Sequence, residues 1–298
     1  MTLAFLLSLL IAAGGLIGQT PNGDVESYRK QIEAWRAERV AKLKADGGWL
    51  TVAGLFWLAP GRNRFGAAPG NELVLPASSP AHAGAFVLEG GHVSVEVDRG
   101  VTVTLAGKPV TRAALRSDAS GADPDVLTLG RLTMQVIDRG GRLGVRLKDM
   151  DSAARRSFKG TTWYPIDPAY RVTARFEARA TPLVIPVPTV LGTVEPMPSP
   201  GTAVFELGGK TLRLDPVLEP GETQLFFIIR DATTGHATYG GGRFLYADPP
   251  KDGHVVLDFN KAYSPPCAFT AYATCPLPPS GNRLAVAIEA GELAPPGH

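Results

Sequence analysis

The chain has 298 residues, 44% of them apolar and 19% charged, with 30 basic against 28 acidic side chains. That apolar content excludes a disordered chain, and a formal charge of +2 gives no overall electrostatic drive toward nucleic acid or anionic lipid. One residue in five is glycine or proline (34 and 26). Long helices do not tolerate that, so many short strands and tight turns are expected.

The chain starts with an apolar run from Leu3 to Ile17, broken by Ser8, Gly14 and Gly15. The run falls short of the ~20 residues a spanning helix needs. With Ala12 and Gly14 placed before a cleavage point, residues 1–19 read as a signal peptide; a buried N-terminal helix is the rival reading. The expected compartment is periplasmic or secreted, with no membrane span once the signal is removed. Asp24 to about residue 46 is the one convincing long helix. Val25, Tyr28, Ile32, Trp35, Val40 and Leu43 recur at mostly helical spacing, and Gly47-Gly48 supplies a stop. Its apolar stripe is expected on the first sheet.

Residues 49–150 read as strands and turns: Leu50–Leu58, Glu72–Leu75, Ala85–Leu88, His92–Val97, Val101–Leu105, Leu127–Leu129, Leu132–Ile137 and Leu143–Leu147. Gly90-Gly91 and Gly140-Gly141 sit where hairpin turns belong. This density of strands predicts a β-sandwich. The block resembles a forkhead-associated domain through Phe65-Gly66, Asn71-Glu72-Leu73-Val74-Leu75 and Ser79-Pro80-Ala81-His82. The resemblance implies a sandwich fold. It does not carry phosphothreonine binding, because Ala67 stands where that family has its phosphate-binding Arg, and a methyl group cannot make the bidentate contact. His82 is read as a turn residue. The stretch 131–159 is basic, with Arg131, Arg139, Arg142, Arg146, Lys148, Arg155, Arg156 and Lys159. Two readings are open: a solvated face of local ion pairs, or an anion-binding rim.

Residues 160–292 read as a second β-rich unit, with strands at Arg171–Ala178, Leu183–Val187, Thr202–Leu207, Thr211–Leu214, Gln224–Arg230, Gly242–Tyr246, His254–Phe259 and Arg283–Glu289. Leu225–Ile229 is apolar on both faces and is expected at the centre of a sheet. The fold class is therefore mainly β: an N-terminal helix, an FHA-like β-sandwich and a second β-rich unit.

The densest polar chemistry lies in RDATTGHATYGGGRFLYADPP (Arg230–Pro250) and DFNKAYSPPCAFTAYATCPLPPSGNRL (Asp258–Leu284). Together with GWLTVAGLFWL and WYPIDPAYRV, these blocks closely resemble domain of unknown function family 1684. That resemblance implies membership and no activity. Gly240-Gly241-Gly242 reads as a turn, since it is neither a dinucleotide fingerprint nor a P-loop. Cys267 and Cys275 read as a disulfide in an oxidising compartment, a zinc site being the rival at an unfavourable spacing.

Asp258 and Asn260 have two readings: local turn-stiffening, or membership of one pocket with His236, Arg243, Tyr263, Asn282 and Arg283. In that pocket the arginines would hold an anion in a fork, and His236 with Asp258 would be the acid/base candidates. No G-x-S-x-G, H-E-x-x-H or S-x-x-K…K-T-G pattern occurs. The leading expectation is a binder of a small polar or anionic ligand or an envelope partner, without cofactor or metal. A His/Asp hydrolase and a structural envelope protein with no active site are the alternatives.

Overall fold

The computed structural model describes residues 21–296. The signal peptide expected at 1–19 lies outside the described residues. The helix α1 spans Pro21–Lys44 and ends through Gly48, whose amide donates to the Ala45 carbonyl at 2.8 Å.

Eleven short strands follow: β1 (Val52–Trp57), β2 (Gly61–Gly66), β3 (Leu73–Val74), β4 (Gly84–Glu89), β5 (His92–Val97), β6 (Val103–Leu105), β7 (Lys108–Val110), β8 (Arg112–Leu115), β9 (Val126–Leu129), β10 (Leu132–Arg139) and β11 (Arg142–Asp149). They form a six-stranded sheet, order β1-β11-β10-β9-β6-β7, and a five-stranded sheet, order β3-β2-β4-β5-β8. Phe65, Phe86 and Val95 of one sheet meet Leu127, Met134, Val136, Val145 and Leu147 of the other in one buried cluster. This is the expected sandwich. Gly90-Gly91 and Gly140-Gly141 form two-residue hairpin turns with φ between +56° and +83°, a backbone that L side chains rarely adopt. Strand β2 was not evident in the sequence. GRNRFG carries arginines on its outer face and turns Asn63 inward, where Asn63 Nδ2 bonds the Ala59 and Gly61 carbonyls. In the stretch that resembles a forkhead-associated domain, Asn71 Nδ2 donates to the Ala81 carbonyl at 2.8 Å and Asn71 Oδ1 contacts His82 Nδ1 at 3.2 Å. Those residues tie a loop together.

A short helix α2 (Ala153–Ser157), capped by Ser152 Oγ on the Arg155 amide, leads into the second unit. Its strands are β12 (Arg171–Pro188), β13 (Val194–Leu207), β14 (Lys210–Leu214), β15 (Leu225–Ile229), β16 (Arg243–Ala247) and β17 (His254–Asp258). One sheet has the order β14-β13-β12-β17, and β15 pairs with β16 alone. The two strands expected at 171–178 and 183–187 are one long strand with a register shift between Ala178 and Leu183. The first half of β13 carries Pro196, Pro198 and Pro200. It is tolerated because β14 pairs only with Ala203–Leu207, which leaves the proline segment on an edge. The strand expected at 283–289 does not form. One isolated bridge, Arg230 to Arg283, is all that remains there.

All five residues of β15 are buried. Leu225, Phe227 and Ile229 face one cluster, with Phe205, Leu257 and Phe259. Phe226 and Ile228 face another, with Ile185, Val187, Phe244 and Cys275. The doubly apolar pattern thus belongs to a two-stranded ribbon wedged between two cores, rather than to the middle of a wide sheet. Replacing a side chain as buried as Phe227 by Ala costs about 3–5 kcal/mol in such a setting.

Helix α1 does not lie on the first sheet along its length. Its inner face carries Tyr28, Ile32, Trp35, Arg36 and Arg39, which is too polar for an aliphatic sheet surface. It docks instead on the second unit. Tyr28 Oη donates to Asp258 at 2.8 Å, Arg36 to the Tyr164 carbonyl at 3.0 Å and Arg39 to the Ser264 carbonyl at 2.8 Å. Trp35 packs edge-on to Trp163 at 5.7 Å. Only the C-terminal end meets the first unit, where Arg155 Nε donates to the Lys44 carbonyl and Lys148 Nζ to that of Gly47.

Arg39 also faces Glu292, at 3.5 Å, and Glu292 is almost fully buried with Oε1 unpartnered. Burial outweighs the attraction of Arg39 and the Ser264 amide, and raises the Glu292 carboxyl to about 7. A raised acid binds its proton more tightly in the folded chain than in the unfolded one. Stability therefore falls as pH climbs from the unfolded value toward 7. Chemical denaturation of Glu292→Gln should show little change at pH 5. At pH 8 the variant should be more stable than the parent by about 3 kcal/mol, following the size of the shift.

Candidate functional site

The residues that suggested a single pocket are not gathered into one. Arg243, at the start of β16, is 0% exposed. Its Nη2 pairs with Asp231 at 2.7 Å and also donates to the Ile288 carbonyl, while Nη1 donates to that of Ala290. Asp231 in turn accepts from the Thr233 amide and hydroxyl. Arg243 is thus the centre of an internal polar knot that stitches the irregular C-terminal segment to the ribbon. Asn260 is buried as well. Its side chain donates to Tyr28 Oη and the Asp167 carbonyl and accepts from the Asp167 amide. Asn282 closes a similar two-way bond with the backbone of Asp215 at 2.8 Å in each direction. These amides hold loops, and nothing is left over for a ligand. His236 and Arg283 are exposed. The carboxylate of Asp258 is taken up by Tyr28 and by the Asn260 amide, and no hydrogen bond joins it to His236.

Cys267 and Cys275 are neighbours without an S–S bond. The Cys267 amide donates to Cys275 Sγ at 3.2 Å, and both thiols are free. The expected disulfide is therefore corrected to a contact pair. The 3₁₀ turn at Pro266–Ala268 folds the chain back and brings the pair together, but closeness alone does not form the bond. Hydrogen bonding from the Cys275 thiol holds Cys267 below the usual thiol range, and the same contact, with burial, pushes Cys275 up.

A cleft of about 1190 Å³, lined by both units, lies between the outer face of the six-stranded sheet and the buried ribbon. Val145 and Leu147 on β11 point into the sandwich, so Arg146 between them points out, into the cleft wall. Ribbon residues Phe226, Phe244 and Tyr246, with Tyr263, Trp49 and Met197, form an aromatic floor. Phe226 and Tyr246 stack at 4.7 Å with an interplanar angle of 10°. Tyr263 is the one predicted ligand residue on this cleft. Asp258 and Tyr263 both line a second cavity of about 850 Å³ beneath α1, so Tyr263 faces both.

Arg146 is the unusual group. It is 6% exposed, yet no carboxylate pairs with it among the described residues. Its Nη2 reaches Thr274 Oγ1 at 3.3 Å, its guanidinium lies 5.2 Å from the Trp49 ring, and its Nε has no partner. Burial, then the neighbouring Arg139 charge, lowers its pKa to about 10, still well above neutral pH. Arg139 differs, because Asp118 grips it with two bonds of 3.1 and 2.8 Å while its Nε shares Thr274 Oγ1. Three others of the basic stretch pair with carboxylates, Arg131 with Asp149, Arg155 with Asp46 and Arg156 with Asp151, while Lys148 bonds the Gly47 carbonyl and Arg142 lies over the Trp57 ring. Of the two readings of this stretch, local ion pairing fits Arg131, Arg139, Arg155 and Arg156, and Arg146 departs from it. The signal in the sequence was the inward-outward alternation around Arg146; what covers that outward face comes from chain some 130 residues away. Among the described residues no group of three His, Cys, Asp or Glu side chains could hold a metal ion, and no helix is long and apolar enough to cross a membrane.

The internal placement of Arg243 has a measurable consequence. Breaking a buried pair on one side leaves a lone charge inside, which costs about 3–5 kcal/mol. Arg243→Ala should lose that much stability in urea denaturation, whereas Arg283→Ala on the exposed bridge should stay within ~0.5 kcal/mol of the parent.

No curated protein matches the chain. Among solved structures, an uncharacterized protein from gene locus rrnAC0354 of Haloarcula marismortui is 34% identical, covering 48% of this chain and 81% of its own, with a TM-score of 0.41. The FHA-2 domain of the Mycobacterium tuberculosis ABC transporter Rv1747 is 27% identical over 30% of this chain and 77% of its own, at a TM-score of 0.23. The FhaA FHA domain, solved in complex with the intracellular domain of Rv3910, is 17% identical over 32% and 97%, at 0.22. The family model described as Protein of unknown function (DUF1684) matches residues 156–293, the stretch that holds the second unit.

Proposed function

We propose that the protein binds a small anion-bearing ligand in the cleft between its two β units, with Arg146 as the anchoring charge. The observation that carries this reading is a guanidinium 6% exposed, with no carboxylate partner among the described residues and with Nε unbonded, on the wall of a cleft of about 1190 Å³. An uncompensated buried charge opposes folding. A protein that keeps one on a cleft wall gains from it when a ligand supplies the missing acceptor. A carboxylate or phosphate on Arg146 would satisfy Nε and Nη together in the planar fork that guanidinium favours. Thr274 Oγ1, already shared by Arg139 and Arg146, orients both. The hydrolase alternative has no support in the geometry, since His236 and Asp258 share no hydrogen bond. We also propose that the protein works outside the cytoplasm, on the strength of the apolar Leu3–Ile17 run and its small residues. Fusing the N-terminal segment to a phosphatase reporter should give activity outside the cytoplasm, and an inactive fusion overturns the assignment.

The binding test separates ligand from fold. Arg146→Met keeps the length of the side chain and removes the charge. In calorimetric titration with small carboxylates and inorganic phosphate, the variant should lose about 10- to 100-fold in affinity, the worth of one charge-assisted contact. Its unliganded melting temperature should equal or exceed that of the parent, because the unpaired charge is gone. Undiminished binding by Arg146→Met overturns the proposal.

A further inference from the structure

The charge pattern of the same cleft defines its ligand more narrowly. Besides Arg146, the lining holds Arg39 and Arg139, which are occupied by Glu292 and Asp118. The sandwich side adds Asp123 and Asp138 and the second unit Glu195, Glu219 and Glu222, and none of the five has an ion-pair partner among the described residues. Glu219 Oε2 accepts from Tyr246 Oη at 2.6 Å, which fixes that carboxylate beside the stacked Phe226–Tyr246 pair. The cleft therefore has one unpaired buried cation among an excess of unpaired carboxylates, and on the facing unit two of these, Glu219 and Glu222, line it together with the stacked Phe226–Tyr246 rings. A purely anionic solute reaching Arg146 passes an excess of negative side chains, a cost that specificity by repulsion exploits. A solute with an anion at one end and an ammonium group at the other meets a complementary charge at each end. Aromatic faces add attraction for its cationic end.

Resting on the anion-binding role of Arg146, we propose that the cleft binds a free dipolar solute. Its carboxylate or phosphate sits on Arg146, and its ammonium group lies against Glu219 and Glu222 over Tyr246. The chemical class is that of amino acids with separated charges and of phosphate–amine zwitterions. The same chemistry occurs on zwitterionic lipid headgroups. The free solute is the form proposed, because Arg146 is 6% exposed and lies on the inner wall of a cleft between two units.

The test titrates the full chain with three matched series: ω-amino carboxylates of four to eight carbons (~4–8), the corresponding monocarboxylates, and the corresponding alkylamines. At least one ω-amino carboxylate should bind about tenfold or more tighter than its monocarboxylate, the effect of one additional charged contact. Glu219→Gln with Glu222→Gln should reduce it to the level of the monocarboxylate, and Arg146→Met should remove binding of both. Added salt should weaken the ω-amino acid and the monocarboxylate alike. If monocarboxylates bind as tightly as ω-amino carboxylates and need Arg146, the dipolar assignment falls while the anion site stands. If nothing in the three series binds and inorganic phosphate also fails, both fall. Cosedimentation with phosphatidylethanolamine vesicles that Arg146→Met abolishes would place the ligand on a lipid and overturn the free-solute form. Circular dichroism of each variant at the titration temperature separates lost binding from lost fold.

Discussion

The architecture turns on a two-stranded ribbon that is apolar on both faces. Because Leu225–Ile229 has no polar side, it must be covered twice. One face completes the core beneath the long β12–β13 hairpin, and the other makes a second, smaller core and the floor of the cleft. A ribbon with only one partner strand leaves backbone groups along its outer edges. The irregular segments satisfy them: Val217 pairs with Phe226, Tyr263 with Phe244, and the Arg230 amide finds the Asn282 carbonyl. This explains why so many polar residues after residue 230 are spent on loops. An irregular chain packed against a buried ribbon carries amides and carbonyls that need partners, and Asn260, Asn282, Asp231 and Arg243 supply them.

The first unit and the second divide the work differently. The sandwich has a conventional core, and its outer face would be ordinary solvent-exposed sheet if nothing lay over it. The second unit and Trp49 cover that face, so Arg146 changes from a surface side chain into a buried one. Arg139, on the neighbouring strand, finds Asp118, and Arg146 has no such carboxylate. Proteins rarely retain such a group for stability, because a well-packed apolar substitute is often no worse. Its retention beside aromatic rings and facing acids fits a site that is completed by something that enters it.

Helix α1 is held mainly by polar anchors. Tyr28, Arg36 and Arg39 reach carbonyls and a carboxylate of the second unit, while Ile32 and Leu43 are its only fully buried apolar side chains among the described residues. Arg39 lies over the Tyr263 ring at 4.4 Å, so the helix also braces a residue shared by both cavities. The position of the helix and the shape of the cleft are thus linked through one stacked pair.

Periodicity and turn chemistry in the chain itself determined the long helix, its glycine stop, the sandwich and most of its strands. Alternation and Gly-Gly turns are local signals, and they act over the same few residues in which the strands form. Strand β2 and the proline half of β13 escaped because their polar and proline residues fit only an edge or a side chain turned inward to bond backbone. The site was decided by tertiary structure. A motif rich in Asp, Asn, Arg and His looks alike whether those groups close loops or bind ligand, and Arg243 shows the first case. Whether an outward residue such as Arg146 is bathed in water or buried without a partner depends on segments distant in the chain, and no local pattern encodes what will cover it.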